Sequence, residues 1–416
     1  MRALTGAGRE RQLVVGLDVG TSKVSVIVGE LTLGEPIEVI GVGTQSSRGI
    51  KRGVVVDIES TVQAIQRAIS EAELMSGCEI RSVYAGIGGN HIRSLNSSGV
   101  VAVKEREIQP SDVDRVLDAA KALPIPADQK IIHVLAQEYL IDDQDGIRMP
   151  VGMSGTRLEA KVHIVTAANS AVQNMTKCVQ RCGLQVDNLI LQPLASSVSV
   201  LTEDEKDLGV MLVDLGAGTT NIAIWRGGAL HHSSVIPLGG DQVTGDIAQA
   251  LRTTTTSAEE LKIKYACALA KLAAPEETIQ VPGVGERESR RLSRQLLASV
   301  VQPRYDEILG LAHSELRRSG LEDLVPAGIV ITGGGAKIEG AVEHAEEVFG
   351  MPVRLGLPTG VTGLSDVIAN PAHAAGIGFL LFGAELYLRE NSRVREPKTK
   401  AGAFFSRMRQ WFGGEF

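Results

Sequence analysis

Short Val- and Ile-rich stretches, partly alternating with polar residues, occur at Gln12–Asp18, Ser22–Glu30 and Ile37–Val42. Such stretches mark strands, and Gly20-Thr21 supplies a turn between the first two. The spacing predicts a three-stranded meander. The period then changes. Ile58, Val62, Ile65, Ile69 and Ala72 recur at helical spacing, with Asp57 placed to cap the first turn and Gly77 to end the last. A further strand is expected at Ser82–Ile87.

The same pattern returns in the second half. Gly209–Asp214 and Thr220–Trp225 flank Gly216-Ala217-Gly218, and Ala229–Pro237 supplies a third strand. Leu17-Asp18-Val19-Gly20-Thr21 answers Val213-Asp214-Leu215-Gly216, with Thr219 just beyond. Two meanders, each followed by a helix, predict a duplicated α/β core of two lobes with a cleft between them.

Two insertions interrupt this core. One lobe comprises 13–83, 166–205 and about 363–392, broken by an inserted subdomain at 84–165. That insertion reads as a polar hairpin, a helix from Pro110-Ser111 and further strands such as Val162–Thr166. The other lobe comprises 206–240 and 302–362, broken at 241–301 by a mostly helical segment with a loop at Pro275–Glu288. Residues 393–403 are charged, hold Pro397 and lack apolar periodicity, as a linker does. They lead to a terminal segment at 404–416.

Composition narrows the classes. The 416 residues are 44% hydrophobic and 22% charged, as in ordinary globular proteins, so disorder, collagen and coiled coil are excluded. Cys78, Cys178, Cys182 and Cys267 form no C-x-x-C pair, and four reduced thiols in a cytosolic protein are expected. Met1–Gln12 carries no apolar signal region. The longest near-apolar run, Ala374–Ala384, falls short of the about 20 residues of a bilayer span. The net charge of −7 speaks against nucleic acid as a partner. That charge is uneven, however: from Arg389 onward the chain carries seven basic residues against Glu390, Glu396 and Glu415. An acidic body with a basic tail implies a separate partner for the tail.

Three glycine-rich turns carry candidate chemistry. In Gly16-Leu17-Asp18-Val19-Gly20-Thr21-Ser22-Lys23, backbone N–H groups can face a phosphate. Asp18 can hold a magnesium ion through water, and Lys23 offers a point charge. Asp214-Leu215-Gly216-Ala217-Gly218-Thr219-Thr220-Asn221 is a matching turn from the other lobe, with Asp214 as its carboxylate. In Val330-Ile331-Thr332-Gly333-Gly334-Gly335-Ala336, a strand runs into three glycines whose bare backbone can pack on a base and ribose. None is a Walker A or Rossmann fingerprint. Each turn alone is weak, whereas the three in this order on repeated meanders are specific.

Together they resemble the actin–Hsp70–sugar kinase superfamily, whose ribonuclease H-like fold is duplicated and two-lobed. Asp18–Lys23 is similar to its first phosphate motif, Asp214–Asn221 to its second and Gly333–Gly335 to its adenosine motif. Leu191–Ser197 and Ala375–Gly378 resemble its two connecting helices, and Glu259 and Lys262 the pair flanking the nucleoside in bacterial actins. Gln192 falls where the resemblance puts a residue orienting the attacking water, although a polar helix start reads equally well. Within the superfamily the chain resembles the FtsA family of bacterial cell division, over about Leu13 to Phe416. Ile50–Asp57, Leu191–Leu201, Gly239–Ile247 and Pro303-Arg304-Tyr305 carry that resemblance. It implies ATP with Mg2+, filaments of the chain itself, and the C-terminal peptide of FtsZ bound at the second insertion. Further divisome partners are implied as well. Arginine suits a carboxylate-bearing peptide, and Arg304 and Arg294 are the candidates in a basic helical segment that also holds Arg290 and Arg291.

In the terminal segment, Phe404, Phe405, Met408, Trp411 and Phe412 fall on one helical face, with Arg407 and Arg409 beside it. Such a face suits anionic membrane lipids, its arginines reaching the phosphates. FtsA proteins end in a membrane-targeting amphipathic helix, and the resemblance implies a peripheral location on the cytoplasmic side of the inner membrane, at the septum. Gly413-Gly414 shortens the useful helix, which favours several copies acting together. An Hsp70-like chaperone would need a large substrate domain; the alternatives are an actin-fold phosphotransferase, which would need an acceptor pocket and a base, or a pilus-assembly actin homologue.

Overall fold

The computed structural model describes Arg11 to Ser392, apart from Glu286. Lobe 1 opens with β1 (Arg11–Val19), β2 (Lys23–Thr32) and β3 (Ile37–Ser46). A small hairpin of β4 (Ile50–Lys51) and β5 (Val54–Val55) precedes α1 (Ile58–Ser76) and β6 (Ser82–Ile87). The first insertion holds β7 (Arg93–Ala102), α2 (Pro110–Lys121), β8 (Gln129–Ile141), β9 (Gln144–Ile147) and β10 (Arg157–Ala168). Lobe 1 resumes with α3 (Asn169–Arg181), β11 (Gln185–Leu191) and α4 (Gln192–Val200), and α5 (Glu203–Leu208) leads on to lobe 2. There β12 (Val210–Leu215), β13 (Thr220–Arg226) and β14 (Ala229–Ile236) form the second meander. They are followed by α6 (Gly240–Ala250), α7 (Thr255–Tyr265), β15 (Thr278–Val281), β16 (Arg290–Ser293) and the long α8 (Arg294–Ser319). Then come β17 (Ile329–Thr332), α9 (Ala341–Phe349) and β18 (Val353–Leu355). The chain returns to lobe 1 through β19 (Val361–Gly363), α10 (Ser365–Ile368) and α11 (Ala374–Ser392).

The two main sheets repeat one topology. Lobe 1 orders its strands β11-β6-β1-β2-β3-β19, and lobe 2 orders them β14-β13-β12-β17-β18. In each, the meander is antiparallel and two later strands add in parallel beside its first strand. Asp18 pairs with Ser25 and Asp214 with Asn221, so both turns open at the same register of the duplicated hairpin. The helix expected after the first meander forms as α1: Asp57 accepts from the Ser60 N–H, and Gly77 closes it in the left-handed conformation.

Some expected boundaries move. β6 stays in the lobe 1 sheet to Ile87, so the first insertion starts after it and not at 84. Its own four-stranded sheet is ordered β7-β10-β8-β9. The loop Pro275–Glu288 contains β15, which pairs with β16. Arg290 and Arg291 therefore lie on a strand rather than a helix. Arg294 is the first residue of α8, which runs unbroken through the expected boundary at 301. The linker at 393–403 and the apolar face of Phe404, Phe405, Met408, Trp411 and Phe412, with Arg407 and Arg409, lie outside the described residues.

The connecting helices decide where the lobes meet. In α11, Ile377, Phe379, Leu380, Leu381, Phe382 and Ala384 are wholly buried in a core shared with α4 and with residues of both sheets. The window Pro371–Leu388 is long and apolar enough to cross a membrane, longer than the run Ala374–Ala384 suggested, yet 67% of it is buried in the protein. Its apolarity is that of a core helix. Ser199 of α4 donates to the Ala374 carbonyl at 2.7 Å, tying the two helices together.

Candidate functional site

A cleft of about 560 Å³ lies between the lobes. Both phosphate-type turns reach it, and they touch each other. A β-carbon at Gly218 would lie 2.5 Å from the Thr21 hydroxyl, so only glycine permits this approach. Thr21 in turn accepts the Gly53 N–H at 3.2 Å, which fixes its side chain from the neighbouring loop. The glycine triplet forms the far wall. Gly333 has φ +86, and a β-carbon there would meet Asp214 Oδ1 at 2.3 Å. Tyr305, buried on α8, donates to the Gly335 carbonyl at 2.7 Å and holds the turn open. Burial pushes its phenol well above the ordinary range.

Two carboxylates face this space. Asp18 accepts from Gln192 Nε2 at 2.9 Å. Burial pushes its carboxyl up, while Lys23 and the Gln192 amide pull it down. Asp214 accepts from the buried Ser196 hydroxyl at 2.7 Å, and burial pushes it up to about 6 against that hydrogen bond. Asn221 Oδ1 is buried on the cleft wall without a hydrogen-bond partner in the protein. Buried acceptors are almost always paired, and an orphaned one on a cavity wall suits a ligand that donates or a hydrated cation. Among the described residues no group of three acidic, His or Cys side chains forms a metal cluster. Two carboxylates beside the paired glycine turns could hold an ion that keeps most of its water, which is the habit of Mg2+.

Most of the expected residues meet here. Asp18, Gly20, Thr21, Ser22, Lys23, Asp214, Gly216, Gly218, Thr219, Asn221, Glu259, Lys262 and Gly333–Gly335 line the cleft, together with Gln192. Thr220 does not. Its hydroxyl donates to the Leu238 carbonyl at 2.9 Å and braces the turn from behind. Lys262 reaches Glu259 at 2.7 Å, Thr244 at 2.9 Å and the Gly240 carbonyl at 3.1 Å, so the pair arrives ordered. Gln192 begins α4 without capping it, and bonding to Asp18 is its observed role.

The arginines divide. Arg294 lines the cleft and is engaged by Glu277 and Glu339, rather than offering an outward fork. Arg304 is gripped by Asp246 through two hydrogen bonds, of 2.7 and 3.0 Å, and by Glu307. Lys337 and Tyr305 line the cleft and Ser196 supports Asp214 from beneath it, and the sequence singles out none of the three for these roles. Lys337 follows the glycine triplet closely enough to have been named, whereas Ser196 is one serine among several on a buried helix.

The family model described as "SHS2 domain inserted in FTSA" matches residues 89–166, the first insertion, and that described as "Cell division protein FtsA" matches 211–378. The cell division protein FtsA of Pseudomonas aeruginosa is 59% identical over 414 residues, covering 97% of this chain and 98% of that one. The chain belongs to the FtsA family of cell-division proteins. The Escherichia coli K12 member is 45% identical over 415 residues, covering 98% and 99%. Solved structures give the fold. A PilM–PilN type IV pilus biogenesis complex aligns with TM-score 0.65 at 17% identity, covering 89% of this chain and 98% of that one. MreB5 of Spiroplasma citri bound to ADP aligns with TM-score 0.54 at 13% identity, covering 91% and 98%. The expected actin-like fold with an inserted subdomain is therefore the observed one. The pilus likeness is one of fold, whereas the FtsA likeness runs through the sequence.

Proposed function

We propose that this FtsA-family chain is a nucleotide-dependent scaffold of cell division. It binds ATP with Mg2+ between its lobes, forms filaments on the cytoplasmic face of the inner membrane and holds FtsZ there at the septum, alongside other divisome proteins. The observation that carries the nucleotide part is the pair of phosphate-type turns in van der Waals contact, with Asp18, Asp214 and the orphaned Asn221 Oδ1 around them. Mg2+, when bound, neutralises phosphate charge; Asp18 and Asp214 are the side chains to hold it through water. The choice of ATP over GTP rests on family resemblance and on the adenine nucleotides, ADP and AMPPNP, named for the MreB5 structures. Gln192, bonded to Asp18, is suited to orient a water at the phosphate end, which fits a weak ATPase.

The membrane part is supported by the apolar face from Phe404 to Phe412 and its arginines. The FtsZ part is supported by family membership. Because Arg304 is already clamped by Asp246 and Glu307, an incoming carboxylate has to exchange with them. Co-sedimentation with anionic liposomes, with and without Mg-ATP and FtsZ, tests the whole reading. Full-length protein should carry FtsZ into the pellet, and protein ending at Ser392 should leave it in solution. Equal pelleting by both would overturn the tethering role.

A further inference from the structure

His373 ends the 3-10 turn Pro371–His373 that leads into α11. Its Nδ1 lies 3.4 Å from Lys23 Nζ. An ammonium carries donors only, so the nitrogen facing it must present a lone pair. With Lys23 protonated, the contact takes the imidazole as neutral, with its proton on Nε2. Among the described residues this is the one side-chain hydrogen bond of Lys23, which lines the cleft and has two donors left for it.

We propose that His373 is a positioning residue for the phosphate end of the cleft, aiming the Lys23 ammonium at the bound anion without neutralising it. The inference rests on the nucleotide reading above and extends it to a residue outside the family motifs. The choice of side chain has a physical logic. A carboxylate in this position would hold Lys23 but cancel its charge and repel phosphate, whereas a neutral imidazole orients the ammonium and leaves the charge intact. Lys23 has a flexible stem, and Asp18 and Asp214 both attract it. An acceptor on the turn before α11 keeps it from collapsing on to those acids. Lys23 and Lys337 are the charged groups that face His373, and with burial they push it down to about 4, so the acceptor form persists at neutral pH.

Asn places an amide oxygen where Nδ1 stands, and Leu has nearly the same shape without an acceptor. His373→Asn should bind Mg-ATP within about twofold of the parent, and His373→Leu about tenfold more weakly. Pyrophosphate, which lacks the nucleoside, should show the same ratio. In a Lys23→Met background the two substitutions should be indistinguishable, since the partner is gone. Calorimetric titration of full-length protein reads all of this, with thermal melting as the check that each variant is folded. Equal losses in the Asn and Leu variants, no loss in either, or a Leu effect that survives in Lys23→Met would overturn the positioning role. A parent protein that binds neither Mg-ATP nor pyrophosphate would instead overturn the cleft assignment itself, and with it this inference.

Discussion

Gly334 begins the 3-10 turn Gly334–Lys337, and a β-carbon built there meets only Ala372, 4.0 Å away. A larger side chain would stand in the cleft without disturbing the fold. Gly334→Val should therefore weaken ATP binding by tenfold or more, about 1.4 kcal/mol per tenfold step, with an unchanged melting temperature. Gly333 makes the opposite case, because its positive φ and its contact with Asp214 penalise any side chain in the fold itself. Asp214 supplies a pH prediction. Its folded pKa, about 6, lies above the unfolded value near 4, so the nucleotide-free protein favours the protonated form. That contribution is full below about pH 4 and is lost as pH rises through about 6. Asp214→Asn should then melt higher than the parent at pH 8, by an amount equivalent to about 2 kcal/mol, and the gap should close towards pH 4. The same variant should lose Mg-dependent nucleotide binding. Melting curves between pH 4 and 8 and titrations with and without Mg2+ check both halves; a gap that stays constant with pH would remove the buried charge as its cause.

At the scale of elements, Arg304 joins α8 to α6 through its fork on Asp246. From the sequence it reads as a free cation for an acidic peptide. Charge reversal, Arg304→Glu, would set a third carboxylate beside Asp246 and Glu307, costing about 1 kcal/mol of stability as well as any partner. The informative comparison is Asp246→Asn, which frees the guanidinium while keeping an amide contact. Its affinity for a carboxylate-terminated FtsZ peptide should rise several-fold, whereas that of Arg304→Glu should vanish, with ATP binding retained in both. Fluorescence anisotropy with the labelled peptide measures this, and a fall in affinity on Asp246→Asn would show that the clamp is needed as it stands. The Asp246 clamp on Arg304 is invisible in the sequence, because the two residues are 58 positions apart at this contact and only folding brings α6 and α8 together.

For the whole molecule, the two lobes share the α4–α11 core, and in the sequence the 393–403 segment separates α11 from the terminal segment. Trp411→Glu puts a charge at the centre of the terminal apolar face, where one large aromatic is worth about 2 kcal/mol of interfacial burial. Sedimentation with anionic liposomes should fall to background, while the melting temperature stays within a degree or so. Retained pelleting together with a lower melting temperature would mean that the tail packs against the protein instead.

What the sequence determined alone is everything written in local periods. Short apolar, β-branched runs between turn residues drew both meanders, a 3.6-residue stripe with Asp57 and Gly77 drew α1, and paired Asp–Gly turns revealed the duplication. These features depend on neighbours within a few residues, so a one-dimensional reading reaches them. Tertiary structure alone decided which groups share the cleft and in what state. Ser196 beneath Asp214, Tyr305 behind Gly335, Thr220 turned away to Leu238, and His373 against Lys23 are contacts between elements distant in the chain. Burial then shifts the proton affinities of Asp214, Tyr305 and His373, and burial belongs to the folded lobes, not to any stretch of sequence.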